Sequence, residues 1–142
     1  MARYILDTDQ LSLHQRAHAA VRAQVAQYQP GQVSITIITV EEQMRGRLAQ
    51  IKRAANPVHL RQNYLWLHET VDSLARFPML DFDEAAQSHF ERLKNLKIRV
   101  GTQDLRIAAI ALANQCVLVT RNLQDFIAIP GLTLADWSRP AE

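Results

Sequence analysis

Four acidic residues stand where they could share one task. Asp7 ends the short apolar run Arg3-Tyr-Ile-Leu, and Glu42 falls near the start of a helix-patterned stretch. Asp104 follows a glycine turn at the mouth of another helix, and Asp125 follows the strand-like Val117-Leu-Val-Thr120. Carboxylates gathered at one edge repel. A pair about 4 Å apart costs on the order of 4 kcal/mol at an effective dielectric near 20. A fold keeps such a cluster only if cations neutralise it, and an all-oxygen donor set suits Mg2+ or Mn2+. Two such ions can activate a water and stabilise the leaving oxygen in phosphodiester hydrolysis. Each acid also has an ordinary reading. Asp7 and Asp104 can cap helix N-termini or favour their dipoles. Glu42 can be the reciprocal half of a capping box, Thr39-x-x-Glu42, and Asp125 can close an Asx-turn. Asp81, Asp83 and Glu84 read as turn and cap residues. Spacing alone leaves these readings open.

The elements that must position the four acids are legible from periodicity. Residues 3–7 read as a central strand presenting Asp7 at its carboxyl end. Thr8, Asp9 or Ser12 can cap a helix running from His14 to Gln27, which Pro30-Gly31 breaks. Val33-Ser-Ile-Thr-Ile37 is a second strand, rich in β-branched residues. Thr39 caps a helix through Met44, Leu48 and Ile51 that stops before Pro57. A partner helix, about 58–75, carries Leu60, Tyr64, Leu67, Val71 and Leu74 on one face, and the two make an antiparallel pair. Residues 78–82 form a third strand, and Asp83 caps a helix through Ala86, Phe90 and Leu93. The unit Gly101–Asn114 leads into the strand 117–120, a turn at 121–126 and a last strand near 132–134. Alternating strands and helices, with continuous apolar runs in the strands, predict a parallel α/β sheet covered on both faces. Ligands of such sheets gather beyond the carboxyl ends of the strands, which is where the four acids fall.

Other candidates carry less. His14 and His18 have an i,i+4 zinc-ligand spacing but lack the Glu of H-E-x-x-H. Nucleotide-binding glycine motifs and G-x-S-x-G do not occur. Arg45, Arg47, Lys52 and Arg53 form a basic stretch on the helix bearing Glu42. It reads as a solvated face, placed where a phosphate backbone needs cations. Met44, Tyr64 and Trp66 read as core or interface.

Composition sets the limits. The chain has 142 residues, 48% hydrophobic and 21% charged, as one ordinary globular domain over residues 1–142 would have. The opening decapeptide lacks an apolar core and is not read as a signal peptide. No apolar stretch approaches membrane-spanning length. A lone Cys116 in a predicted strand reads as a core residue in a reducing, cytoplasmic setting. Net charge is +2 and the pI about 9.0, which tolerates a nucleic-acid partner without demanding one.

Taken together, these segments resemble the PIN-domain family, and within it toxin ribonucleases of the VapC type. The resemblance rests on Tyr-Ile-Leu-Asp7-Thr, on Ser-Ile-Thr-Ile-Ile-Thr-Val-Glu-Glu42 with Gly46 four residues on, and on Gly-Thr-Gln-Asp104-Leu-Arg-Ile-Ala-Ala. It extends to Leu-Val-Thr-Arg-Asn-Leu-Gln-Asp125-Phe, Ile-Pro-Gly-Leu and Asp136-Trp137, and so spans nearly the whole chain. It implies a PIN-like three-layer α/β/α sandwich with a central, mainly parallel sheet. It implies Mg2+- or Mn2+-dependent cleavage of RNA, a cognate antitoxin and a homodimer. By position, Asp7, Glu42, Asp104 and Asp125 match the acidic quartet, and Gly46 favours Glu42 over Glu41. Asp7 and Asp104 are expected to hold the principal ion, with Glu42 and Asp125 completing the shell or orienting water. Thr8 and Thr120 match small polar positions lining the site, and Arg45, Arg47 and Arg121 are candidates for steering phosphates. Two departures stand out: Asp9 where Asn is usual, and Gln43 where an apolar residue is usual. An antitoxin tail is expected to anchor on Met44, Leu48, Tyr64 and Trp66 and to place an arginine near Asp7 and Asp104. Two rival readings remain: a haloacid-dehalogenase-like phosphatase built on Asp7-Thr-Asp9, and a PIN-fold binding module without turnover.

Overall fold

Five short strands form the sheet: β1 (Tyr4–Leu6), β2 (Val33–Thr36), β3 (Met79–Leu80), β4 (Val117–Val119) and β5 (Leu134–Ala135). They belong to a computed structural model that describes residues 3–140. Strand order is β3-β2-β1-β4-β5, and every pairing is parallel. In register, Ile5 lies between Ser34 and Leu118.

Because successive side chains of a strand point to opposite faces, the sheet feeds two cores. Ile5 and Leu118 enter one with Phe90, Leu93, Leu105 and Ile110. Leu6 and Val119 enter the other with Leu11, Val21, Ile35 and Leu74. The first core is covered by α5 (Glu84–Asn95) and α6 (Thr102–Ala113). The second is covered by α1 (Thr8–Gln15), α2 (Ala19–Ala26) and the end of α4 (Pro57–Leu74). Helix α3 (Ile37–Lys52) packs on α4, and a short α7 (Leu123–Phe126) follows β4. The result is the three-layer parallel sandwich expected from the sequence. Helix α6 is buried over Leu105 and Ile107 through Ala111, as a helix apolar nearly all round must be. Each large side chain buried there contributes roughly 1.5–3 kcal/mol.

Strand order reverses between β1 and β4, so the crevice outside their carboxyl ends is where this topology accepts ligands. Asp7 and Thr120 are the residues immediately beyond those two ends.

Several boundaries differ from expectation. The single helix expected over 14–27 is two helices. Ala17 adopts φ 61°, the left-handed conformation. His18 N then donates to Leu13 O at 2.9 Å and Ala17 N to His14 O at 3.1 Å, which is a Schellman stop. His18 starts α2 as its cap, so His14 and His18 do not share a helix face and the zinc spacing is lost. Helix α3 is capped by Thr36, whose Oγ1 accepts from Thr39 N at 3.2 Å. Thr39 therefore lies inside the helix, no capping box forms there, and Glu42 falls in the second turn. On α4, Leu74 is buried and Leu67 half-buried, but Leu60, Tyr64 and Val71 are exposed. The predicted apolar face thus meets solvent over much of its length. Asp83 caps α5 as expected, accepting from Ala86 N at 3.0 Å. The last strand, Leu134–Ala135, overlaps the expected 132–134 at Leu134 and extends one residue past it. Cys116 is free and buried. Among the described residues, no helix is long and apolar enough to cross a membrane.

Candidate active site

Asp7 is fixed on three sides. Its backbone N–H continues the sheet to Val119 O at 3.0 Å. Its Oδ1 caps α1 by accepting from Gln10 N at 2.8 Å. The Thr120 side chain also hydrogen-bonds its carboxylate. Asp7 is thus both a helix cap and the innermost acid of the crevice, 5% exposed. Burial pushes its pKa from 3.8 to about 6. The two hydrogen bonds oppose that rise, and the charges of Asp9 and Asp104 add to it.

Asp104 is the hub of the cluster. It lies in the first turn of α6, whose N-cap is Gly101 without a side-chain capping bond. Asp104 is half-buried, and burial raises its pKa, followed by the charges of Glu42 and Asp125. Four carboxylates from four elements therefore share one electrostatic neighbourhood. Glu42 is turned to the Asp7 side: its Oε1 accepts from Thr8 Oγ1 at 2.8 Å, and Thr8 Oγ1 lies 2.9 Å from Thr39 Oγ1. Glu41 faces elsewhere, paired with Arg45 at 2.8 Å and accepting from Gln103 Nε2 at 2.8 Å. Asp125 stands exposed in α7.

The donor chemistry fits a divalent cation. The donors are all oxygen, and Asp7 and Asp104 both resist ionisation because burial and neighbouring acids are not offset by positive charge at the centre. Among the described residues, however, no three His, Cys, Asp or Glu side chains form a ready-made cage. Asp7 and Glu42 each spend an oxygen on a neighbouring donor. That arrangement still suits Mg2+, which keeps several waters and takes one or two carboxylates in place of a full protein cage.

Asp9, the extra acid of this sequence, is neutralised. Arg121 grips it with a fork, Nε to Oδ2 at 2.6 Å and Nη2 to Oδ1 at 2.9 Å. That use of Arg121 differs from the free phosphate-steering role expected from the sequence. Gln10 is fully buried and ties α1 to Asp136, with Nε2 donating at 3.0 Å, while its Oε1 is left without a partner. Thr39 and Gln15 were not legible as site neighbours. Gln15 and Gln43 exchange amide hydrogen bonds of 2.8 and 2.9 Å across α1 and α3. The polar residue at position 43 was the one sequence signal for this pairing. A separate groove of about 700 Å³ lies between α1, α3 and α4, with Asp9, Ser12, Gln43 and Trp66 in its lining and none of the four carboxylates.

No family model matches the chain. Over 70 residues the chain is 31% identical to ribonuclease VapC2 of Rickettsia felis, a stretch covering 46% of this chain and 52% of that protein. Over 68 residues it is 35% identical to the tRNA(fMet)-specific endonuclease VapC of Salmonella typhimurium, covering 45% and 52%. The chain thus spans about half the length of each of these curated relatives. The crystal structure of DNA-bound VapBC from Salmonella typhimurium matches with a TM-score of 0.75 at 25% identity. That match covers 96% of this chain and 99% of the other. The chain is similar to VapC ribonucleases in sequence over the matched stretch. Over nearly its whole length it has the fold of a chain from a VapBC toxin–antitoxin complex.

Proposed function

We propose that this chain is a VapC-type endoribonuclease toxin, a PIN-domain enzyme that hydrolyses RNA phosphodiester bonds with Mg2+ or Mn2+. In this reading it acts in the cytoplasm as a homodimer and is silenced by a cognate antitoxin. One observation carries the reading: Asp104 is coupled to Asp7, Glu42 and Asp125 at the carboxyl-end crevice of a parallel sheet. The likeness to a ribonuclease and an endonuclease of the VapC type supports it.

Asp7 and Asp104 would hold the ion, with Glu42 and Asp125 completing its surroundings. Bound there, the cation supplies Lewis-acid charge at the phosphodiester and a usable nucleophile from water at neutral pH. The chain's own residues do the positioning. Thr8, itself bonded to Thr39, holds the Glu42 carboxylate through Oε1. The α1 cap fixes Asp7. Arg121 keeps Asp9 from adding a fifth unpaired charge where phosphates must approach. The exposed Leu48, Tyr64 and Trp66 of the α3–α4 pair offer an antitoxin its apolar anchor, whereas Met44 packs against the second core.

The test is direct. The purified chain should cut single-stranded RNA when Mn2+ is supplied and stop when EDTA is added. Absence of cleavage by folded protein across Mg2+ and Mn2+ would favour a binding module without turnover.

A further inference from the structure

Arg121 is held at both ends. Its backbone follows Thr120, whose N–H donates to Ala135 O at 2.8 Å and whose Oγ1 accepts from Asn122 N at 3.0 Å. Its side chain ends in the fork on Asp9, Nε to Oδ2 at 2.6 Å and Nη2 to Oδ1 at 2.9 Å. The fork spends one edge of the guanidinium. The other edge, Nη1 with the second N–H of Nη2, has no partner among the described residues, and the side chain is 48% exposed.

The surroundings of this free edge belong to the carboxylate site. Thr120 bonds the carboxylate of Asp7, and Asn122 begins the short helix that carries Asp125. The charges of Asp9, Asp136 and Asp7 all act on the guanidinium. The other two arginines expected to steer phosphates are engaged elsewhere. Arg47 donates to Thr70 of α4 and to Gln50 near the end of α3, and Arg45 pairs with Glu41. An ion pair as exposed as Asp9–Arg121 adds little to stability, so the fold has small need of it. An asparagine at position 9, with one acceptor oxygen, cannot take both arms of the fork.

We propose that Arg121 is a substrate-contacting residue that holds an RNA phosphate next to the cut by its Nη1–Nη2 edge, and that Asp9 is the positioning residue that aims it. Two parallel N–H groups match two oxygens of a phosphate, which a lysine, as a point charge, cannot reproduce. A phosphate on the free edge touches the cation while Asp9 stands on its far side, so attraction exceeds repulsion. With its rotamer already fixed, the guanidinium loses less freedom when the strand arrives. This inference rests on the nuclease reading of the carboxylate site.

The experiment uses the full chain and a fluorescein-labelled single-stranded RNA. Binding is read by anisotropy in EDTA, and kcat is measured with Mn2+ at saturating RNA. Arg121→Gln should weaken binding and lower the slope of log affinity against log salt by about 0.7, the share of one single-strand phosphate. It should also lower kcat about tenfold, as misplacement of the reacting group does. Arg121→Lys should keep the salt slope and lose the same kcat. Asp9→Ala should bind RNA as tightly as the wild type or more so, because a repelling acid is gone, and still lose about tenfold in kcat. Added to Arg121→Gln, it should lower kcat no further, since Asp9 acts only through Arg121. Melting curves establish that each variant is folded. Undiminished cleavage by Asp9→Ala or Arg121→Lys, or a further loss in the double variant, would overturn the proposal and leave the nuclease reading standing. If the wild-type chain does not cut RNA with Mn2+, both readings fall together.

Discussion

Asp7 does two jobs that conflict. As the cap of α1 it favours the ionised form, yet burial lifts its pKa from 3.8 to about 6. The sign of the consequence follows from linkage. A carboxyl whose pKa is higher in the folded state than in the unfolded one stabilises the fold fully below pH 3.8. That stabilisation is lost as pH rises through about 6. At 1.36 kcal/mol per pH unit the change is on the order of 3 kcal/mol. Metal-free protein should therefore lose stability between pH 4 and 7, and Asp7→Asn should flatten that dependence; urea melts across pH measure both. A cation competes with the proton, so cation affinity should rise as pH passes about 6. The glutamate register is a second test at this scale. Neighbours on a helix point about 100° apart, and here Glu42 meets Thr8 while Glu41 meets Arg45 and Gln103. Glu42→Gln should abolish RNA cleavage, and Glu41→Gln should leave it within a few-fold. Equal loss in both would contradict the assignment. The four acids were singled out by their places at strand ends and helix starts, and spacing alone left their readings open until the family resemblance joined them. Thr39 was not legible, because two threonines three apart, Thr36 and Thr39, both look like caps and only the backbone decides between them.

At the scale of elements, the break between α1 and α2 was invisible. Ala17 is a helix former by propensity, and an alanine in the left-handed region leaves no mark in composition. The strain is local. An L-residue there costs roughly 1–2 kcal/mol, so Ala17→Gly should stabilise the chain by about 1 kcal/mol, read as a shift in urea midpoint with unchanged slope. No change would mean that the Schellman stop is not formed in solution. Strands were read correctly because their apolar runs are bounded by acids and turn residues. The stripe of α4 was read as core or interface without a choice between the two, for a physical reason. Amphipathic spacing shows that a helix has an apolar face, but not whether that face meets its own core or a partner. Leu74 meets the core, whereas Tyr64 at 54% exposure and Val71 at 47% do not.

The whole molecule is a parallel sheet whose switch point holds like charges, and that arrangement makes its stability depend on what binds there. Mn2+ at 100 times its dissociation constant should add about 2.7 kcal/mol, visible as a higher melting temperature. Asp104 feels Glu42 and Asp125 and in turn raises Asp7, so removing its charge should relieve repulsion in the metal-free chain. The central claim is that these carboxylates make one cation site, and a calorimetric titration of Mn2+ into the metal-free chain and its Asp104→Asn variant tests it most directly. The account predicts saturable binding by the wild-type chain. In the variant, binding should be at least tenfold weaker while the metal-free fold is as stable or slightly more so. Equal Mn2+ binding by both proteins, with the variant less stable, would contradict it and leave Asp104 as an ordinary acid in the first turn of a helix.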